Sequence, residues 1–380
     1  MATHFRTLKV QDVRRETADC VSVAFSVPAG LQEEFRYYQG QNITLRAMMG
    51  GGEVRRSYSI CSSPLEGELR IAVKKVEGGL FSTWANEQLA PGDELDVLPP
   101  SGRFYTELRP GSQKHYLAFA AGSGITPVIS LIKTTLAMEP GSRFTLVYGN
   151  RNRLSIIFRE ELEALKNRYM DRLALHHILS REQLDVPVYQ GRIDVDKCEE
   201  LCGRLIDLRW VDEVFLCGPE QMIFSLKDWL EGRGLERRKI HFELFHTLES
   251  GAVAARKQGV MAEGSSLAQQ DGSTLAQQDG STAGRDEVSR VTVRVDGISH
   301  VINLPFGGPS VLEAALMEGI DLPFACKGGV CCSCRAKLLE GKVEMDANYA
   351  LEADELAAGF ILTCQSHPRS EQVVIDFDSK

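Results

Sequence analysis

The pattern of apolar and polar positions changes character along the chain. From about residue 5 to 107, short β-rich runs such as "CVSVAFSV", "QNITLRAM" and "ELRIAVKKV" alternate with Gly and Pro turns, which predicts an antiparallel barrel or sandwich. "LPPSGRFYTEL" closes this region with Pro and Gly punctuation. From about 112 to 245 apolar strands alternate with helical stretches: "HYLAFAA", "RFTLVYG" followed by a helix from Ser155, "RLALHHIL", "EVFLCG" and "KIHFELF". That order predicts a parallel sheet with helices on both faces and a ligand site at the carboxyl ends of its strands.

Both periods vanish between about 247 and 288, where Gly, Ser, Ala and Gln dominate and "LAQQDGST" occurs twice in tandem, at 267 to 274 and 275 to 282. One repeat of eight residues is too short and too few for a solenoid, so the segment reads as a flexible linker with a reach of roughly 35 Å. Beyond it, "RVTVRVDGISHVINL" predicts a hairpin, "SVLEAALMEG" and "EADELAAG" short helices, and "EQVVIDFD" a final strand of a small α+β unit. The predicted division is a β-barrel domain over 1–110, an α/β domain over 111–246, a linker over 247–288 and an α+β domain over 289–380.

Composition narrows the function classes. The chain has 380 residues, 43% hydrophobic and 25% charged, as expected of several globular domains. A formal net charge of -9 argues against nucleic acid or an anionic membrane as partner. "MATHFRTLKV" carries no signal-peptide pattern and no run reaches the ~18 apolar residues of a membrane span, so the expected location is the cytoplasm. Thiols clustered in that reducing compartment point to metal rather than disulfides.

"CKGGVCCSC", residues 326 to 334, holds four of the ten cysteines. Cys326, Cys331 and Cys334 have the plant-type spacing of [2Fe-2S] ligands, and Cys364 in "ILTCQSHP" supplies the fourth thiolate from a distant part of the chain. Ligation by Cys332 instead of Cys331 would leave five and one residues between ligands, too little for that loop; Cys332 is expected to point into the domain. Gly328 and Gly329 let the backbone wrap closely. Zinc ranks behind the cluster, because four-cysteine zinc sites come as two C-x2-C-like pairs and only one is present.

"RRSYSICSSP" arranges Arg56, Tyr58, Ser59 and Ser62 as R-x-Y-S-x-x-S. Tyr58 can cover an isoalloxazine ring, while arginine and serine can hydrogen-bond phosphate and ribityl oxygens. In "KKVEGGLFSTW", Gly78, Gly79 and Ser82 can offer backbone N–H groups and a hydroxyl to a diphosphate at a helix start. "AAGSGITP" places Gly122 and Gly124 in a strand-to-helix turn that alone is weak evidence for a dinucleotide, but "VYGNR" and "FLCGPEQM" end strands on the same rim. Arg151 and Arg153, with Ser180 and Arg181 of "LSREQ", can meet a 2'-phosphate, which favours NADPH over NADH.

These motifs resemble known families. "LPFACKGGVCCSCRAKLLEG" with "LTCQSHP" is similar to plant-type ferredoxins over about 289–380, which implies a β-grasp domain carrying one electron at about -400 mV. Residues 5–245 resemble the ferredoxin-NADP reductase superfamily through R-x-Y-S-x-x-S, G-S-G-I-T-P and C-G-P. That resemblance implies FAD, although some relatives with this domain order carry FMN. It also implies that Thr126 lies near the flavin, that Cys217, with Gly218 and Pro219, lies near the nicotinamide, and that Glu243 and Phe245 lie near the flavin. "LSREQ" resembles the 2'-phosphate clamp of plant ferredoxin reductases.

The domain order and the wording "NYALEADELAAGFILTCQ" and "VVIDFD" resemble the reductase components of phenylacetyl-CoA epoxidase complexes. The resemblance implies electron transfer from NADPH through FAD and [2Fe-2S] to a diiron oxygenase of aerobic phenylacetate degradation. Alternatives are the reductase of another oxygenase, such as a steroid hydroxylase, or an electron-carrier module without turnover. In the ferredoxin-like region acidic residues outnumber basic ones, so the partner is expected to present a basic docking face.

Overall fold

The computed structural model describes residues 4–245, 258–261 and 288–379. The described residues fall into two compact units, one of Phe5–Phe245 and a second that holds 258–261 and 288–379.

The larger unit begins with six antiparallel strands, β1 (Arg6–Thr17), β2 (Cys20–Ser26), β3 (Asn42–Met49), β4 (Gly52–Ser59), β5 (Leu69–Lys74) and β6 (Glu94–Ser101). Their order is β4-β3-β6-β1-β2-β5, and an antiparallel bridge between Ile60 and Ile71 joins the two outer strands, closing the barrel. Alternating side chains such as Val21, Val23 and Phe25 fill its interior. Helix α1 (Leu80–Glu87) adds Phe81 and Ala85 to the same core.

The nucleotide-type domain follows as β7 (His115–Ala121), α2 (Ile125–Met138), β8 (Arg143–Asn150), α3 (Arg159–Arg168), β9 (Leu173–Leu179), α4 (Val195–Cys202), β10 (Glu213–Gly218), α5 (Glu220–Gly232) and β11 (Ile240–Leu244). All five strands are parallel, in the order β11-β10-β7-β8-β9. Along β7, Tyr116, Ala118 and Ala120 pack with Val128 and Ile132 of α2 and Leu162 of α3, while Leu117 and Phe119 face Leu201 of α4 and Leu226 of α5. Burying each large apolar side chain contributes about 1.5 to 3 kcal/mol, which is why both faces must be covered. Chain order reverses between β7 and β10, the topological switch point where such sheets open a crevice.

One boundary differs from expectation. Helix α3 starts at Arg159, not Ser155; residues Arg153–Ser155 form a 3₁₀ turn capped by the Asn152 side chain, and Phe158 takes a left-handed φ of 59° before the helix. Asn152 accepts from the N–H groups of Leu154 and Ser155 and closes the turn early.

The second unit contains β12 (Gln258–Met261), β13 (Val288–Val295), β14 (Ile298–Pro305), α6 (Val311–Met317), β15 (Arg335–Glu340), β16 (Lys342–Met345), α7 (Ala353–Ala357), β17 (Phe360–Leu362), β18 (Ser366–Pro368) and β19 (Gln372–Asp376). A mixed sheet runs β14-β13-β19-β15-β17, with β13 and β19 parallel, and α6 supplies Val311, Leu312 and Ala315 to its core. The predicted hairpin is there: Asp296 and Gly297, both at positive φ, make the two-residue turn between β13 and β14. Most of the expected linker lies outside the described residues. Within it, however, β12 pairs antiparallel with β16, so these four residues belong to a three-stranded sheet with β18.

Candidate functional site

In the second unit the sheet register builds the thiol site. Arg335 pairs with Leu362, so the next positions outward, Cys334 and Thr363, also meet: Thr363 N–H and Oγ1–H both donate to the Cys334 carbonyl, at 3.1 and 3.0 Å. Cys364 is thereby held beside the 326–334 loop. Backbone N–H groups of Cys326 and Gly328 point at the sulfurs of Cys331 and Cys326, at 3.4 and 3.3 Å, and Gln365 Nε2 lies 3.6 Å from the Cys364 sulfur. Such donors favour thiolates, the form that ligates iron.

Cys326 neighbours both Cys331 and Cys364, and Cys364 neighbours Cys334. Contact with Cys326, together with burial, pushes Cys331 well up from the ordinary thiol value. For Cys364 the hydrogen bond with Cys326 pulls down, but Cys334 and burial push well up. Neutral thiols crowded in this way must release protons when a metal group binds. All ten cysteines are free thiols. The set of Cys326, Cys331, Cys334 and Cys364 therefore fits a [2Fe-2S] cluster.

Cys332 is directed elsewhere: it takes a left-handed φ of 55° and its Sγ lies 3.4 Å from the Ala350 carbonyl, packed against the domain core. Of the two glycines, Gly329 has φ 76°, and a side chain there would press on the Ala347 carbonyl at 2.9 Å. Lys327, at φ 51°, is also left-handed, whereas Gly328 is not.

In the larger unit, β4 carries Arg56, Tyr58 and Ser59, opposite Leu45, Ile43 and Asn42 of β3. Arg56 is exposed, its Nη1 donating to the adjacent Arg55 carbonyl at 2.8 Å. The Tyr58 ring lies 5.6 Å from that of Phe81, which brings β4 against the start of α1. Gly78 and Gly79 lead into α1 with no side-chain cap, leaving its first N–H groups available to an anion. Exposed guanidinium, aromatic ring and uncapped helix start fit a flavin and its phosphate.

Two of the expected contact residues have their hydroxyls engaged within the protein. Ser62 is fully buried, and its hydroxyl is occupied by Tyr37 at 2.8 Å, the Glu68 carbonyl at 2.7 Å and Arg70 N–H at 3.0 Å. Ser82 accepts from Val76 N–H at 3.1 Å and donates to the Gly79 carbonyl at 3.4 Å. Both hydroxyls brace turns inside the protein, Ser62 against Tyr37 and the segment from Glu68 to Arg70, and Ser82 against the turn from Val76 to Gly79 that precedes it.

At the switch point, a β-carbon on Gly124 would lie 2.1 Å from the Cys217 carbonyl oxygen, so only glycine lets α2 start against the end of β10. A β-carbon on Gly218 would lie 2.7 Å from the end of the Met222 side chain and 3.1 Å from Ala121, and Pro219 occupies the N-cap position of α5. Thr126 is buried, donating to the Ser123 carbonyl at 3.0 Å, and Cys217 is fully buried, its thiol pushed well up by burial and then by Glu243. Both side chains are enclosed by the protein at the switch point.

Parallel extension of β8 and β9 collects the candidate phosphate clamp. Arg181 N–H donates to the Arg151 carbonyl at 2.8 Å and Ser180 N–H to the Asn150 carbonyl at 2.9 Å, with Arg151, Ser180 and Arg181 all exposed. Strand spacing sets the end of β8 about 5 Å and the end of β9 about 10 Å from β7, separations that a dinucleotide can span. Arg153 is not free, since it is ion-paired with Glu182.

Lys74 escaped sequence reading, and the partners of Glu243, a residue that the resemblance had placed near the flavin, could not be read from the sequence either. Lys74, at the end of β5, brings its Nζ within 3.8 Å of the position a Gly122 β-carbon would take, putting a cation at the turn; "KKVEGG" was the available signal. Glu243, placed by β11 next to Cys217, accepts from Ser59 Oγ at 2.7 Å and from Asn42 Nδ2 at 3.4 Å. Burial raises its carboxyl to about 7. This carboxyl links the flavin motif to the nucleotide domain, and it can hold or release a proton near neutral pH. Phe245 is 40% exposed at the end of the unit.

A barrel and a switch-point crevice sharing one buried carboxyl, with a separate thiol loop, suit a pyridine-nucleotide-dependent reductase that hands electrons to an iron–sulfur centre. Comparison with known proteins agrees. Residues 7–105 match the oxidoreductase FAD-binding domain, 119–228 the oxidoreductase NAD-binding domain and 293–369 the 2Fe-2S iron-sulfur cluster binding domain. The chain is 45% identical over 378 residues to a subunit of the 1,2-phenylacetyl-CoA epoxidase of Escherichia coli (strain K12), covering 100% of this chain and 99% of that protein. It is 35% identical to the ferredoxin reductase component of 3-ketosteroid-9-alpha-monooxygenase from Rhodococcus rhodochrous, covering 97% and 96%. The solved phthalate dioxygenase reductase shares the fold, with a TM-score of 0.56 at 22% identity over 98% of both chains.

The chain belongs to the family of that phenylacetyl-CoA epoxidase subunit, within the reductase components of multicomponent oxygenases. It is an oxidoreductase with FAD-binding, NAD-binding and [2Fe-2S] domains that transfers electrons toward an oxygenase. Among the described residues no helix is long and apolar enough to cross a membrane.

Proposed function

We propose that this chain takes electrons from NADPH and delivers them, through FAD and a [2Fe-2S] cluster, to the diiron oxygenase of a phenylacetyl-CoA epoxidase system of aerobic phenylacetate degradation, in the cytoplasm. The observation that carries the partner is identity of 45% along the whole chain to an epoxidase subunit, against 35% to the steroid monooxygenase component. Bound flavin supplies the conversion of a two-electron hydride delivery into the single electrons that a cluster can carry.

The chain's own residues supply position and charge. Arg56 and the uncapped start of α1 at Gly78 and Gly79 hold the flavin phosphates, and Tyr58 covers the ring. Gly122, Gly124, Gly218 and Pro219 let the nicotinamide end of the dinucleotide enter between β7 and β10, with Thr126 and Cys217 beneath it. Arg151, Ser180 and Arg181 hold the 2'-phosphate, and Cys326, Cys331, Cys334 and Cys364 hold the irons. Lys74 adds positive charge over the dinucleotide turn.

Coupled NADPH consumption with purified oxygenases tests this reading. Product formation should be fastest with a phenylacetyl-CoA oxygenase; equal or faster turnover with a steroid oxygenase overturns the partner. Bleaching of the flavin absorbance by NADPH alone is expected, and its absence would leave only an electron-carrier module.

A further inference from the structure

Glu243 sits in a pocket without a cation. The groups that face it are Ser59 Oγ of β4, the Asn42 amide of β3 and the buried Cys217 thiol of β10, and no described Lys, Arg or His pairs with it. Its charged form is served by two donors, Ser59 Oγ–H and Asn42 Nδ2–H. Its protonated form needs an acceptor, because a buried O–H without one costs as much as a lost hydrogen bond. One is at hand: Asn42 Oδ1 is buried with no hydrogen-bond partner, on a side chain 6% exposed. Rotation of the amide by half a turn exchanges Nδ2 for Oδ1 at the same place, with almost no change in shape.

The backbone holds Asn42 where this exchange can happen. It pairs with Ser59 on one side and Ser101 on the other, and the left-handed Gly102, where a β-carbon would meet Asn42 Nδ2 at 2.8 Å, leaves the amide room. We infer that Asn42 is a positioning residue for the electron-transfer reaction, whose side-chain amide reverses as Glu243 gains or loses its proton, so that either state of the carboxyl is fully hydrogen-bonded.

Electron counting gives the exchange a use. When NAD(P)H becomes NAD(P)⁺ and its hydride leaves as two single electrons, one proton per turnover stays behind and must depart. Glu243 as carboxylate can take that proton to become the acid and pass it to water, with Asn42 turning from donor to acceptor. The use of the proton rests on the function proposed above; the amide reversal does not.

The test follows the Asn42 side-chain ¹⁵N–H₂ resonances of the full chain with flavin bound, identified by their loss in Asn42→Leu, between pH 5.5 and 8.5. They should move with one midpoint near neutrality. In Glu243→Gln the amide should stay in its acid-state position at every pH, since the Gln carbonyl accepts from Ser59 and its NH₂ faces Asn42 Oδ1. Pair resonances that ignore pH in the native protein, or a Glu243→Gln spectrum matching the native one at pH 8.5, would overturn the inference. Turnover is not part of this readout, so failure of the proposed function leaves it standing or falling alone.

Discussion

The thiol loop and the switch-point crevice are built in opposite ways. Three of the four candidate iron ligands lie within nine residues, and a single strand pairing, β15 with β17, delivers the fourth. The crevice instead gathers Asn42, Ser59, Gly124, Cys217 and Glu243, drawn from both domains of the larger unit and spaced across 202 residues of chain. A local site can be broken by one atom and leave the rest of the protein intact. A distributed site is bound up with the packing of its own unit, so its residues carry stability and chemistry together.

The sharpest break of the local site is Cys331→Ala, expected to abolish the [2Fe-2S] absorbance and paramagnetic signal while Cys332→Ala retains both. The reverse result would move the ligand register by one residue. For the distributed site, Gly124→Ala forces a methyl group to 2.1 Å from the Cys217 carbonyl, so the backbone must shift. A loss of about 3 kcal/mol or more in denaturant unfolding of the whole chain is expected, with weakened NADP⁺ binding and an unchanged cluster signal.

Arg181→Ala acts at the exposed rim, away from the packing. It should weaken NADPH roughly 10- to 100-fold, the worth of a charge-assisted pair, and NADH hardly at all; equal losses in steady-state kinetics would remove the 2'-phosphate assignment. Glu243→Gln should stabilise the protein. Because the folded carboxyl titrates at about 7, above its unfolded value, the native state keeps its proton while the unfolded chain ionises. Stability is then lost between about pH 4.5 and 7 and stays low above it. The variant should gain about 1 to 3 kcal/mol at pH 8 and little at pH 4, measured by urea unfolding.

The class of each domain was legible in the sequence because it rests on local period and turn chemistry. Alternation gave the barrel strands, and Asp296-Gly297 gave the hairpin, since a type I′ turn asks for those residues wherever it occurs. The cysteine spacing was legible for the same reason: a loop that wraps a metal group is a local object. The helix start at Ser155 was misplaced because a side-chain cap, an interaction of single atoms, ended the turn that periodicity extended. Likewise the pattern R-x-Y-S-x-x-S could not tell that Ser62 is enclosed by Tyr37, Glu68 and Arg70, while Ser59 reaches Glu243.

By itself, then, the sequence determined which segments become strands and helices, and which thiols lie close enough along the chain to share a metal group. Only the tertiary structure decided that Arg153 is paired with Glu182 while Arg181 is open, that Lys74 approaches Gly122, and that Glu243 is buried against Ser59 and Asn42. Secondary structure follows from interactions between near neighbours in the chain. The ionisation of a carboxyl depends on every group within a few ångströms, whatever its position in the sequence, and in this protein those groups come from strands that only folding brings together.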